Sequence, residues 1–188
     1  MKQRTQTSVL VECALCMALA CVLSELKFEM PYGGSITAFS MVPILFAAFR
    51  NGTRWGLLTS FVYSLVQLFL GFKNVLYCKT LATQALCILF DYVVAFTLLG
   101  LAYALAKPFG GARSRFSVAA GSFCAILLRF ICHFISGVLI WGEYAPEGTP
   151  VWLYSLSYNV LYMLPELVMA VIGTILLYRV IAKGAARD

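Results

Sequence analysis

Apolar residues come in six long runs, each closed by charged residues, glycine or proline. The pattern predicts six helices at about residues 6–26, 35–49, 54–72, 80–106, 116–142 and 150–179. A run that crosses lipid has to satisfy its own backbone hydrogen bonds, so each is read as a membrane helix. The run at 35–49 follows a Pro31-Tyr32-Gly33-Gly34 turn and is short for a full span. Tilt or shielding by neighbouring helices would accommodate it. Residues 107–115 form the one clear linker, and no repeat of convincing length is present.

Composition turns these runs into a class. Hydrophobic residues make up 62% of the chain and mean hydropathy is +0.88, with 12% charged residues. A soluble domain carries roughly 25% charged residues. The expectation is an all-α integral membrane protein, a single six-helix domain over residues 1–188, multi-pass in the cell membrane. The basic N-terminus leads into the first apolar run with no small-residue cleavage site, so no signal peptide is expected. The net charge of +6 is read as membrane topology rather than nucleic-acid binding. With the N-terminus inside, Lys2, Arg4, Arg50, Arg54, Lys107, Arg113, Arg115, Arg179, Lys183 and Arg187 fall on the cytoplasmic side. Lys27, Lys73 and Lys79 fall outside. That bias places both termini in the cytoplasm and the loops near 27–34, 73–79 and 143–149 outside. Glu25, Glu29, Glu143 and Glu147 in the outer loops would steer an approaching cation.

Several chemistries find no support. Cys13 and Cys16 have redox spacing, but on a membrane helix without a second pair or a nearby histidine they read as small packing residues. The odd total of 7 cysteines argues against a disulfide framework. Gly33-Gly34-Ser35-Ile36-Thr37 lacks the lysine of a phosphate cradle, so the chain is not expected to hydrolyse ATP. Ser136, His133 and Asp91 have the composition of a hydrolytic triad, but Ser136 and His133 share one helix and no nucleophile elbow is evident. A single histidine with scattered thiols does not make a metal site. Neither an enzyme nor a cofactor is expected.

Four charged residues lie inside the runs: Glu12, Asp91, Arg129 and Glu166. Such groups are costly in lipid and mark functional sites by default. Asp91 and Arg129 both fall near mid-span and are expected to pair. His133 follows Arg129 by one turn and about 40° of rotation. Gly137 is expected to open space on the same side, with Trp141 a further turn on. The sixth run adds Tyr154, Tyr158, Asn159 and Tyr162, and Asn159 needs either a polar cavity or a helix–helix bond. Carboxylate, guanidinium, imidazole, amide and aromatic rings together suit a flat, heteroaromatic, partly cationic ligand. The bland alternative is a structural membrane protein in which Asp91 and Arg129 only fix helix packing.

These residues carry a resemblance. Arg129, Phe130, His133, Phe134, Ile135, Ser136, Gly137 and Trp141, followed by Tyr144-Ala-Pro-Glu-Gly148 and then Tyr154, Tyr158 and Asn159, closely resemble the thiamine-specific S components of energy-coupling factor transporters. So do Met30, Pro31 and Gly33–Ile36, Pro43 and Ile44, Phe49, Arg50 and Gly52, and Asp91-Tyr92 with Ala95, Phe96 and Gly100. The likeness runs from about residue 8 to 180. It implies a six-helix, high-affinity, substrate-binding membrane subunit. That subunit docks on one transmembrane scaffold protein and two ATPases, which would supply the ATP hydrolysis. In the family, the Asp91 position serves the cationic ligand. The Tyr92 and Arg129 positions line its thiazolium and hydroxyethyl side, and the His133 and Trp141 positions supply ring contacts. The Tyr154 and Asn159 positions address the aminopyrimidine. Ala14 and Ala18 resemble the small-residue motif through which S components meet the scaffold. Some relatives carry Lys at the position of Arg129, a Trp at that of Gly34 and an acid at that of Ala38; Glu166 matches no family position. A thiamine precursor or another heterocycle is the alternative ligand.

Overall fold

The computed structural model describes residues 5–30 and 34–184. Pro31–Gly33 of the expected outer turn, and Lys2, Arg4 and Arg187, lie outside them. The chain forms α1 (Gln6–Glu25), a strand pair β1 (Lys27–Glu29) and β2 (Ser35–Thr37), then α2 (Met41–Leu70) and a short α3 (Phe72–Leu76). There follow α4 (Leu81–Phe109), α5 (Arg115–Leu139), a 3-10 turn over Trp141–Tyr144, α6 (Val151–Leu176) and α7 (Tyr178–Gly184).

Local chemistry sets the boundaries. Thr80 and Ser114 open α4 and α5 with capping boxes closed by Thr83 and Ser117, which satisfy backbone amides that have no partner inside the helix. Residues 35–37 do not begin the second helix. They pair antiparallel with β1 in the register Lys27 to Thr37, Phe28 to Ile36 and Glu29 to Ser35. Phe39 then adopts φ 59°, which breaks the run before helix starts at Met41. Pro43 falls in the first turn, where its missing amide costs nothing.

The second and third apolar runs form two helical arms of α2 that meet at a non-helical break at Gly52 and fold back on each other. Gly52 has φ 81° and ψ 171°, a conformation essentially closed to other residues. Residues 48 and 56 would be about 12 Å apart along a straight helix. Instead, a Cβ on Gly56 would lie 2.7 Å from the Cβ of Ala48 and 2.7 Å from the carbonyl oxygen of Gly100. Missing side chains thus let the two arms of α2 and the middle of α4 pack backbone to backbone. At the hairpin tip, Arg50 pairs with Glu12 of α1 at 2.7 Å and donates to the Val180 carbonyl of α7 at 2.8 Å. This gives Glu12 a partner within the bundle.

Among the described residues, four helices are long and apolar enough to cross a membrane: α1, α4, α5 and α6. α1 is the least covered by the rest of the chain. Its buried residues are Cys13, Ala20 and Ser24, and Leu15, Leu19 and Val22 are exposed. Helix α4 is irregular where the chemistry sits. Ile88–Val93, which holds Asp91 and Tyr92, is a π-helical turn, and Leu98–Leu101 is 3-10. Such turns re-aim side chains and recur at functional sites.

Gly52→Ala should lower stability by about 1–3 kcal/mol, because alanine resists that backbone geometry. Thermal unfolding in detergent checks this, and an unchanged midpoint would contradict it.

Candidate functional site

The middle of the bundle holds a chain of three ionisable groups. His133 Nδ1 lies 3.2 Å from Asp91 Oδ1, and Arg129 Nε donates to His133 Nε2 at 3.3 Å. An imidazole nitrogen that accepts has no proton, so the His133 proton sits on Nδ1 and is donated to Asp91. Arg129 and Asp91 do not pair directly, as their similar depth had suggested; His133, one turn along α5, stands between them. Among the described residues Arg129 has no carboxylate at ion-pair distance. It donates to Met41 Sδ at 2.8 Å and lies over the Phe96 ring at 4.2 Å. Arg129 is 9% and His133 8% exposed, so both are held inside the protein.

Asp91 is the open end of this chain. Its Oδ2 accepts from the Trp141 indole at 3.0 Å and from Cys87 Sγ at 3.5 Å. Its side chain keeps 16% exposure. Trp141 reaches it from the turn after α5 and lies 6.1 Å from the Tyr144 ring. On α6, Tyr154, Tyr158 and Tyr162 form a ladder with centroids 5.4 Å and 6.2 Å apart, and His133 meets Tyr162 edge-on at 6.1 Å. One carboxylate is therefore touched by an indole and an imidazole, and a file of phenols extends from that imidazole. That combination attracts a flat cation by charge and by ring faces.

Gly137 does not open a gap. A Cβ there would fall 2.1 Å from Ser155 Oγ and 3.2 Å from Asn159 Nδ2, so its bare face is where α6 closes on α5. Asn159 is fully buried. Its amide donates to the Ser155 carbonyl at 2.8 Å and to the His133 carbonyl at 3.3 Å, and its Oδ1 accepts from the Tyr162 hydroxyl at 2.8 Å. Of the two ways to satisfy Asn159, the structure uses the helix–helix bond. Tyr92 turns away from Asp91. Its hydroxyl donates to the Gly71 carbonyl at 2.8 Å and accepts from Asn74 at 3.0 Å, tying α4 to the α2–α3 junction.

Beside Trp141 lies a cavity of about 350 Å³ lined by Cys78, Lys79, Thr83, Ile140 and Glu143 among others. Lys79 and Glu143 pair across it at 2.5 Å, and the carboxylate holds the Lys79 ammonium above the ordinary lysine range. Both His133 nitrogens are engaged, which leaves neither for Ser136 nor for a metal. Among the described residues no three His, Cys, Asp or Glu side chains gather as a metal site requires.

The model of a family described as "Thiamine transporter protein (Thia_YuaJ)" matches residues 10–185. This chain belongs to that family. The thiamine transporter ThiT of Bacillus subtilis strain 168 is 36% identical over 188 residues, covering 95% of this chain and 94% of the relative. The thiamine transporter ThiT of Lacticaseibacillus paracasei is 30% identical over 169 residues, covering 85% and 81%. A solved structure of ThiT from Listeria monocytogenes superposes with TM-score 0.73 at 22% identity, covering 94% of this chain and 96% of that one. It establishes the fold. The family is one of transporters rather than enzymes, and its apolar helices make this chain a membrane protein.

Against the residues expected from sequence, Asp91, His133, Trp141 and Arg129 come together in one connected group. Tyr154 is linked to it only through Tyr158 and Tyr162, which meets His133. Asn159 touches it only through the His133 carbonyl and Tyr162, and Tyr92 faces the neighbouring loop. Met41 and Phe96, which hold Arg129, and Cys87, which touches Asp91, were not anticipated. Cys87 lies one helical turn before Asp91, a spacing that could have flagged it.

Because the chain has a single histidine, nitrogen NMR of protein labelled in histidine reads the tautomer directly. At neutral pH the ring should show a protonated Nδ1 and an unprotonated Nε2. A proton on Nε2 would contradict the Arg129–His133–Asp91 order.

Proposed function

We propose that this chain is the high-affinity thiamine-binding subunit, the S component, of an energy-coupling factor uptake transporter. One observation carries the ligand reading: Asp91 is a partly open carboxylate held by Trp141 and His133, with the α6 phenols packed on that histidine, in a chain of the thiamine transporter family. Thiamine is a flat cation with a quaternary thiazolium and an aminopyrimidine. Asp91 pairs with its positive charge, and Trp141 and His133 contact its rings. Tyr154, with the ladder behind it, faces the aminopyrimidine. Arg129, Asn159 and Tyr92 act one step back. Arg129 fixes the His133 tautomer, Asn159 fixes the α5–α6 contact, and Tyr92 fixes the end of the π-helical turn. No cofactor takes part in binding.

The chain sits in the cell membrane as one domain of six spans over residues 1–188, with both termini cytoplasmic. The fold-back of α2 at Gly52 supports this count, since the two apolar runs form two helical arms packed on each other. The positive-inside charge pattern supports the orientation. A scaffold transmembrane protein and two ATPases complete the transporter and supply ATP hydrolysis. Ala14 and Ala18 are exposed on α1, the helix least covered by its own chain, which fits a face kept for the scaffold.

Titration of the purified protein with thiamine should quench tryptophan fluorescence saturably, and Trp141→Phe should remove most of that quenching while Trp55 and Trp152 remain. A response to riboflavin or biotin but not to thiamine would reject the ligand. Ala18→Trp should leave thiamine affinity within about twofold but abolish uptake by the assembled transporter, because a bulky ring blocks close helix approach. Normal uptake would remove this face from the docking surface.

A further inference from the structure

Glu166 is a buried carboxylate that ligand binding, as proposed above, does not use. It sits on α6, one turn beyond Tyr162, and is 3% exposed. Its Oε1 accepts from the backbone amide of Thr37 and from the Thr37 hydroxyl at 2.7 Å, and that hydroxyl lies 2.5 Å from Ser40 Oγ. Thr37 ends β2, and between it and Ser40 lies Phe39 at φ 59°. A bulky residue keeps a left-handed backbone only where its surroundings over-determine it. The bonds from Glu166 to Thr37 do so at one side of Phe39.

The same face of α6 holds the strand pair at a second point. The Tyr162 ring lies so close to Gly34 that a Cβ there would sit 2.4 Å from Cδ1. Tyr162 in turn donates to Asn159 at 2.8 Å and meets the His133 ring at 6.1 Å. Asn159, Tyr162 and Glu166 follow at the spacing that aligns side chains on one face of a helix. Glu166 thus holds the strand pair at Thr37, and contacts run from Gly34, next to β2, through Tyr162 to the imidazole that touches Asp91.

We infer that Glu166 is a positioning residue for the ligand site. It clamps β2 and the Phe39 turn to α6, and through Tyr162 the strand pair and His133 shift together. The link to ligand affinity rests on the thiamine reading; the clamp and its coupling to His133 do not.

Hydrogen exchange and the His133 nitrogen spectrum of the ligand-free, full-length protein test the clamp. Glu166→Leu should speed exchange of the amides at 35–40 by about tenfold or more and shift the His133 ring signals. Glu166→Gln, which keeps an acceptor for the Thr37 amide, should restore much of the protection. Thr37→Val, which removes one donor and preserves side-chain shape, should move both readouts the same way by less, and decides the matter if the leucine variant does not fold. Exchange at 35–40 equal to wild type, or faster exchange with unchanged His133 signals, would overturn the inference. With thiamine, the leucine variant should bind about tenfold more weakly, and unchanged affinity would overturn the link to the site. A wild-type protein that ignores thiamine would sink the ligand reading while the two ligand-free readouts still decide the clamp.

Discussion

The cost of holding charge inside a bundle of apolar helices governs this protein. An ion removed from water and left unpaired costs several kcal/mol. Here the cost is met by a chain in which each group satisfies the next. Arg129 donates to His133, which donates to Asp91, which also accepts from Trp141. Arg129 is settled further by the Phe96 ring and Met41. The arrangement leaves the guanidinium deep and the carboxylate at the open end. A direct Asp91–Arg129 pair would have cancelled the charge that a cationic ligand needs. The imidazole between them keeps the two charges apart while leaving each with a hydrogen bond.

Much of the remaining structure positions that chain. The π-helical turn in α4 carries Asp91, and α5 carries Arg129 and His133 one turn apart. Gly137 lets α6 approach until Ser155 and Asn159 bond to the backbone of α5. Gly56 and Gly100 bring the α2 hairpin against α4 in the same way. Small residues are the usual means of close helix contact in lipid, where apolar side chains gain little by leaving it. Buried polar groups on α6, Asn159 and Glu166, then fix α5 on one side and the strand pair on the other.

The sequence reveals the helices well because lipid imposes long apolar runs, and most predicted boundaries lie within a few residues of those observed. It misses β1 and β2 because a pair this short leaves no periodic signal. The two runs do form separate helical arms, but the sharp fold-back between them at Gly52 was hidden, because only its backbone angles reveal the turn. In the site, depth along the helix correctly grouped Asp91, Arg129 and His133 but not the order of their contacts. Gly137 illustrates the same limit, since a missing side chain reads equally as a gap or as a close contact. The Glu166–Thr37 bond joins residues 129 positions apart, and no local pattern announces it.

The central claim is that the charge on Asp91 is met by the charge on the ligand. A binding cycle tests it, crossing Asp91→Asn with thiamine and with an uncharged isostere in which an aromatic carbocycle replaces the thiazolium. Calorimetry gives all four affinities. If the two charges meet, removing either should cost about 2–5 kcal/mol and removing the second should cost little more. Losses that simply add would contradict the pairing and place the cation elsewhere.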